Sequence, residues 1–232
     1  MRIAIISDIH SNLEALNAVL RDIGKVTNIY CVGDLVGYGP DPNKVIEILE
    51  TLGIKSVMGN HDHVTITNSP VGFNEFAAEA IHWSHRTISK ENMKLLASLP
   101  EHLLVQYEDL SIYLVHGSPR DPLNEYIVPN TPEDLLVQFL SQTKADLLIM
   151  GHTHLPFYAD FKEQNRGVVL NPGTVGQPRD RDPRASYSII EYENEKIDIS
   201  IKRVDYDIEK VSEKIRKADL PEFLAERLFH GY

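Results

Sequence analysis

Cysteine is almost missing from this chain. Its single copy, Cys31, excludes an internal disulfide, and its place in the apolar run Ile29-Tyr30-Cys31-Val32 marks it as a small buried hydrophobe rather than a nucleophile. Positive charge is also in deficit: 23 Lys and Arg against 34 Asp and Glu leave a formal net charge of −11. A nucleic-acid backbone would be repelled at long range, and no basic stripe with interleaved aromatics offsets this, so a nucleic-acid partner is disfavoured. A small anionic substrate is still allowed, because bound divalent cations make one cleft locally positive whatever the overall charge. Long apolar runs are missing as well. The stretch Met1-Arg2-Ile3-Ala4-Ile5-Ile6 turns polar at Ser7-Asp8, too early for a secretory signal, and no segment reaches membrane-spanning length. The expectation is a cytoplasmic protein with no membrane partner. There is no low-complexity tract and no internal repeat.

What is present is the composition of an ordered globular chain of 232 residues, 42% hydrophobic and 25% charged. Its length suits one domain over residues 1–232. Short apolar runs alternate with amphipathic stretches through the first half, which predicts βα units and a largely parallel sheet. Arg2 to Ser7, Asn28 to Gly33 and Lys55 to Met58 read as strands. Between them lie a helix carrying Leu13, Leu16, Val19 and Leu20, capped by Ser11 or Asn12, and one capped by Asp41 with Pro42 in its first turn.

Residues 73 to 98 read as two helical pieces, and Leu103 to Tyr107 with Leu110 to Val115 as an antiparallel pair around Glu108-Asp109. The sheet is therefore mixed. After a helix near 132 to 141 and the run Asp146 to Met150, short strands near 156 to 161, 167 to 170, 185 to 192 and 196 to 203 suggest a second sheet. From about Asp207 the pattern turns helical, with a further short helix near Pro221 to Leu228.

Five apolar runs each end in a metal-capable residue. Asp8 and His10 follow Ile3 to Ile6, Asp34 follows Tyr30 to Gly33, Asn60 and His61 follow Val57-Met58-Gly59, His116 follows Tyr113-Leu114-Val115, and His152 and His154 follow Leu148 to Gly151. One such pair is commonly a surface or hydrogen-bonded feature. Five together, with glycines where the backbone must turn beside a crowded site, predict convergence on the carboxyl rim of side-by-side strands. Imidazole mixed with carboxylate suits a borderline transition ion such as manganese, iron, zinc, cobalt or nickel.

The ordered set Asp8-x-His10, Gly33-Asp34, Gly59-Asn60-His61-Asp62, His116-Gly117 and Gly151-His152-x-His154 resembles the calcineurin-like metallophosphoesterases. With Asn171-Pro172-Gly173-Thr174-Val175-Gly176-Gln177-Pro178-Arg179, it resembles the small bacterial and archaeal phosphodiesterase branch. The resemblance implies a four-layer α/β/β/α sandwich with two mixed sheets and the metals at one edge. It also implies two divalent metal ions, with Asp8, His10 and His154 on one, Asn60, His116 and His152 on the other, and Asp34 bridging. Ions about 3.5–4 Å apart would activate a shared hydroxide for in-line attack on phosphorus. His61 matches the family's catalytic histidine, the general acid for the leaving oxygen, with Asp62 either orienting that ring or capping a helix.

The arginine that protein phosphatases and dinucleoside-tetraphosphate hydrolases carry shortly after the bridging aspartate is replaced here by Leu35-Val36-Gly37-Tyr38-Gly39-Pro40. This favours a small phosphodiester or nucleotide over a phosphoprotein, with phosphomonoesterase or protein phosphatase as the alternative. Arg120 is the favoured substitute among Arg120, Arg179, Arg181 and Arg184, while Asn12 and Tyr38 are candidate pocket residues with equally good structural readings as helix cap and packed turn. The fold also serves a retromer subunit that acts as an interaction platform, so a non-catalytic scaffold is the competing class. Retention of His61 and all seven candidate ligands favours the enzyme. Monomer and homo-oligomer stay equally open.

Overall fold

The computed structural model describes residues 1–164 and 167–232. Among the described residues, ten strands form two five-stranded sheets. The first has the order β10-β9-β1-β2-β3, where β1 is Arg2–Ile6, β2 Asn28–Cys31, β3 Lys55–Ser56, β9 Ala185–Glu193 and β10 Lys196–Val204. The second is β4-β5-β6-β8-β7, from His102–Tyr107, Leu110–Val115, Leu147–Ile149, Val168–Asn171 and Phe157–Asp160 respectively. Both are mixed: β1-β2-β3 and β5-β6-β8 run parallel, while β9, β10, β4 and β7 pair antiparallel.

The side-chain period of two sorts each strand between two cores. On β1, Ile3 and Ile5 face the second sheet and meet Ile112 and Leu114 of β5 and Leu147 and Ile149 of β6, all fully buried. Ala4 and Ile6 face the other way, into the helical layer of α1 (Leu13–Ile23), α2 (Pro42–Thr51) and α5 (Lys90–Ala97). The outer face of the second sheet takes Val115, Leu148 and Val169 against Leu136, Phe139 and Leu140 of α6 (Glu133–Thr143). Burial on both faces explains why β1 and β6 read as continuous apolar runs. The result is the four-layer α/β/β/α sandwich with two mixed sheets that the sequence resemblance implies.

Two expectations change. The late strands do not form a sheet of their own. The pair β7 and β8 extends the second sheet beyond β6, whereas β9 returns to lie beside β1 and brings β10 with it. Alternation reveals a strand but not its neighbour, and β9 finds its place through a register running Ile3 to Ile190 and Ile5 to Ser188. The third strand is also shorter than Lys55 to Met58, because the Met58 amide leaves the ladder and donates to the Pro100 carbonyl at 2.7 Å.

The helix starts follow side-chain chemistry. Asn12 caps α1 by accepting from the Ala15 amide, and Asn74 and Ser89 do the same for α4 (Glu75–Thr87) and α5. Asp41 occupies the capping position of α2 without bonding an amide, since its carboxylate is paired with Lys214 of α7 (Ile208–Lys217). That pair, with Glu14 on the same lysine, ties α7 to the first two helices. A short α8 (Glu222–Glu226) and a 3-10 turn at Arg227–Phe229 follow. Among the described residues, no helix is long and apolar enough to cross a membrane. Replacing Ile112, wholly buried between the sheets, with alanine should cost about 2–5 kcal/mol in a urea titration. Leu104→Ala, at a side chain 63% exposed, should change stability by no more than about 0.5 kcal/mol.

Candidate metal centre

The metal-capable residues gather on one rim, drawn from both sheets rather than one. Asp8 and His10 leave β1, Asp34 follows β2, Asn60 opens α3 (Asn60–Thr67) just past β3, His116 follows β5, and His152 and His154 follow β6. The loops are zipped by backbone bonds: Asp8 to Gly33, His10 to Asp34, and Gly151 to His116, each at 2.9–3.0 Å. The turns are sharp enough that Asp8, His10, Asp34, His152 and His154 all adopt left-handed φ, between 48° and 68°. Such positions cost on the order of 1–3 kcal/mol each and persist only where the surroundings enforce them. A side chain at Gly59 would run into the Asp34 carboxylate and amide, so this approach demands glycine.

Each carboxylate divides its oxygens between protein and centre. Asp34 Oδ1 accepts from the His61 amide at 2.9 Å, while Oδ2 lies 3.6 Å from His10 Nε2 and 3.3 Å from His116 Nε2. Asp8 Oδ2 accepts from Ser7 Oγ and the His152 amide. Asp8 Oδ1 is buried with no hydrogen-bond partner and faces His154 Nε2 at 3.2 Å.

The histidines are oriented from behind by main-chain carbonyls. His10 Nδ1 donates to Val36, His154 Nδ1 to Gln177 and His116 Nδ1 to Val32, leaving their Nε2 atoms inward. His152 is reversed: Nε2 donates to Asn124 at 3.2 Å and Nδ1 points in, 3.1 Å from His116 Nε2. These bonds fix the tautomers. His10 Nε2 and His154 Nε2 then face each other at 3.1 Å as two lone pairs with no proton between them, an arrangement that a cation relieves.

Charge tells the same story. Burial works against both aspartates, but the surrounding imidazoles hold Asp8 and Asp34 well below the usual carboxylate range, so both are ionised. Burial keeps His10 and His154 below their ordinary value and pushes His152 down to about 3. Burial acts on His116 in the same direction, yet Asp34 overrides it and raises that ring to about 9. The cluster is thus two carboxylates with mostly neutral imidazoles, the protonation state in which these groups ligate metals. Asp8, His10 and His154 present donor atoms within 4.8 Å of one another, as do Asp34, His116 and His152, and His10, Asp34 and His61. Asn60 Oδ1 joins the second set, 3.0 Å from His116 Nε2.

His61 stands at the edge of this cluster. Its ring packs against His10, Tyr38 and Phe73 at 4.5–5.0 Å, and its buried Nδ1 has no hydrogen-bond partner. Burial, with Asp34 opposing, lowers it to about 4. Asp62 does not reach this ring: its oxygens accept from the Gly59 and Val36 amides, so it caps α3 and ties that helix to the loop after β2.

Asp34, Asn60, His61, His152 and His154 open onto a cavity of 460 Å³, further lined by Tyr38, Phe73, Asn74, Asn124, Tyr126, Arg179 and Arg227. Of the candidate pocket residues, only Tyr38 is there. Arg120 is an exposed residue held by Glu125 over the Phe139 ring, outside the cavity. Asn12 spends its amide on the α1 cap and the Gly176 carbonyl. Arg179, the arginine of the glycine-proline stretch, lines the cavity in its place. Tyr126, its ring tilted against His152 with centroids 3.9 Å apart, and Arg227 gave no signal in the sequence, since each lies in a segment without a motif.

The chain belongs to the calcineurin-like phosphoesterase superfamily, whose domain model matches residues 1–195. Over 99% of its length it is 41% identical to the uncharacterized protein MJ0912 of Methanocaldococcus jannaschii, covering 98% of that protein. A crystal structure of a metallophosphoesterase from Sphaerobacter thermophilus superposes with a TM-score of 0.85 at 38% identity, over 100% of this chain and 99% of that one. The hypothetical protein PH1004 from Pyrococcus horikoshii OT3 shares the fold, with a TM-score of 0.90 at 23% identity over 100% and 98% of the two chains. Membership implies phosphoester hydrolysis with divalent metal ions, and the His and Asp clusters fit such ions. Gly59→Ala, whose side chain would collide with Asp34, should abolish most of whatever rise in unfolding temperature an added divalent metal ion gives the metal-stripped wild type.

Proposed function

We propose that this protein is a dinuclear metal-dependent phosphoesterase acting on a small phosphodiester or nucleotide. The observation that carries the reading is the buried, partnerless Asp8 Oδ1 beside two imidazole lone pairs, with Asp34 Oδ2 shared toward the second histidine set. Asp8, His10 and His154 would hold one ion, Asn60, His116 and His152 the other, and Asp34 would touch both. Manganese is the first choice, with iron, zinc, cobalt and nickel compatible with the same donors. Two such ions would supply a water nucleophile at neutral pH and offset charge on the phosphoryl oxygens.

The remaining work falls to the chain's own residues. Asp34 and Asp8 stay ionised and fixed by amide and hydroxyl bonds, so the donors need little reorganisation. His61 lines the cavity beside the cluster, its buried Nδ1 without a hydrogen-bond partner, and it is the residue assigned here to protonate the leaving oxygen. The ring is neutral in the ligand-free pocket, and a bound phosphate anion is the partner that raises its proton affinity. Tyr38 and Phe73 flank it and hold its orientation. The single buried thiol, Cys31, fits a cytoplasmic setting.

Metal-stripped protein refilled with manganese should hydrolyse matched mono- and diester substrates and show which ester class it prefers. His61→Ala should lower turnover by about 10²–10⁴-fold while retaining metal. Asp34→Asn should lose both turnover and bound metal. Failure of the refilled wild type on every ester would sink the enzyme reading and leave the scaffold class in its place.

A further inference from the structure

Arg227 lies beyond residues 1–195, in the 3-10 turn after α8, yet it lines the same cavity as His61 and Asp34. The C-terminal helices are firmly seated. Val211, Ile215, Leu224 and Leu228 pack with Ala77 and Ala80 of α4, and the Arg181 amide donates to the Gly231 carbonyl at 2.7 Å. Arg227 Nε donates to the main-chain oxygen of Tyr232, while its Nη groups carry no hydrogen bond among the described residues.

Arg179 stands beside it. The two guanidinium carbons are 5.9 Å (Arg179) and 6.0 Å (Arg227) from the Tyr38 ring centroid. Arg179 Nη2 donates to Tyr38 Oη and Gln177 Oε1, and its Nε is buried without a partner. Five of the described arginines outside the cavity pair with carboxylates: Arg2 with Glu191, Arg120 with Glu125, Arg184 with Asp182, Arg203 with Asp180 and Arg216 with Glu222. Among the described residues, neither Arg179 nor Arg227 has an Asp or Glu side chain at salt-bridge distance. What sets these two apart is their place: both line the cavity, where in a chain of net charge −11 their guanidinium groups stand without an Asp or Glu partner among the described residues. Burial and the neighbouring Arg179 lower Arg227 to about 10, so the pair repels itself until an anion enters.

The position of the pair says which anion. Tyr38 packs on His10 and His61 at 4.7 and 4.5 Å, and the arginines are set off from that same ring, one side chain removed from the ligand cluster. One phosphoryl group at the cluster would leave most of the 460 Å³ unfilled.

We propose that Arg179 and Arg227 form a subsite for a second phosphoryl group, so that the pocket selects phosphate esters carrying a further phosphoryl group adjacent to the one cleaved, as in a nucleoside diphosphate. The identity of the cleaved group rests on the metallophosphoesterase reading above. The subsite is tested by binding alone, which separates failure of one from failure of the other. Inorganic pyrophosphate and orthophosphate are titrated calorimetrically into the manganese-loaded protein, with Arg227→Gln, Arg227→Lys and Arg179→Gln alongside. The wild type should bind pyrophosphate about tenfold or more tighter than orthophosphate, as a charge-assisted bond or two would give. Each Gln variant should lose about tenfold for pyrophosphate and less than about threefold for orthophosphate, and Arg227→Lys should keep part of the preference. Equal losses for both ligands, or none for either, would overturn the subsite. Arg179→Gln provides the same discrimination should Arg227→Gln fail to fold.

Discussion

The centre depends on burying two ionised carboxylates side by side in the rim between two sheets. Left alone, that arrangement is strongly unfavourable, because desolvation and mutual repulsion both oppose it. Everything around Asp8 and Asp34 answers this problem. One oxygen of each is neutralised by amides or a hydroxyl, and the other faces imidazoles. The left-handed turns follow from the same demand, since only a backbone that doubles back at the strand end can bring donors and carboxylates so close.

The sandwich serves that rim. The strands that end there come from both sheets, and the core of Ile3, Ile5, Ile112, Leu114, Leu147 and Ile149 sets their separation. Cross-sheet bonds then lock it: His116 of the second sheet donates to Val32 beside the first, and the His152 amide donates to Asp8. The stretch Asn171–Gln177 acts as a brace. Asn171 holds Gly151 and Thr153, Thr174 holds the Asp8 carbonyl, and Gln177 backs His154. The C-terminal helices pack against α4, and the turn that follows them adds Arg227 to the cavity lining.

Much of this was legible in the sequence because ligand-bearing turns are local. Asp8-x-His10 or Gly151-His152-x-His154 follows an apolar run directly, so motif and strand end are read together. The α1 cap at Asn12 was legible for the same reason. The helix starting at Asn60 was legible only as one of two readings of Asp62, because Asn60–Thr67 has almost no apolar stripe and its start is held instead by Asp62 accepting from the Gly59 amide. Sheet membership of β7 through β10 escaped because pairing partners are distant in sequence. Of the two pocket arginines, Arg179 was among the four weighed, and Arg227 escaped for a related reason. Arg120 sits next to the His116 motif but turns away to Glu125, whereas Arg227 reaches the cavity only through tertiary packing of α7 and α8.

The carbonyls behind the histidines carry a last implication. Val36, Gln177, Val32 and Asn124 orient His10, His154, His116 and His152 through main-chain oxygens, which every amino acid supplies alike. Point substitution at those four positions therefore cannot swap a neutral backing group for a charged one, the ordinary route by which a protein retunes the electron donation of an imidazole. The donor strength of this centre is written into the path of the backbone. Drift in side chains can reshape what enters the cavity while the coordination chemistry beneath it stays the same.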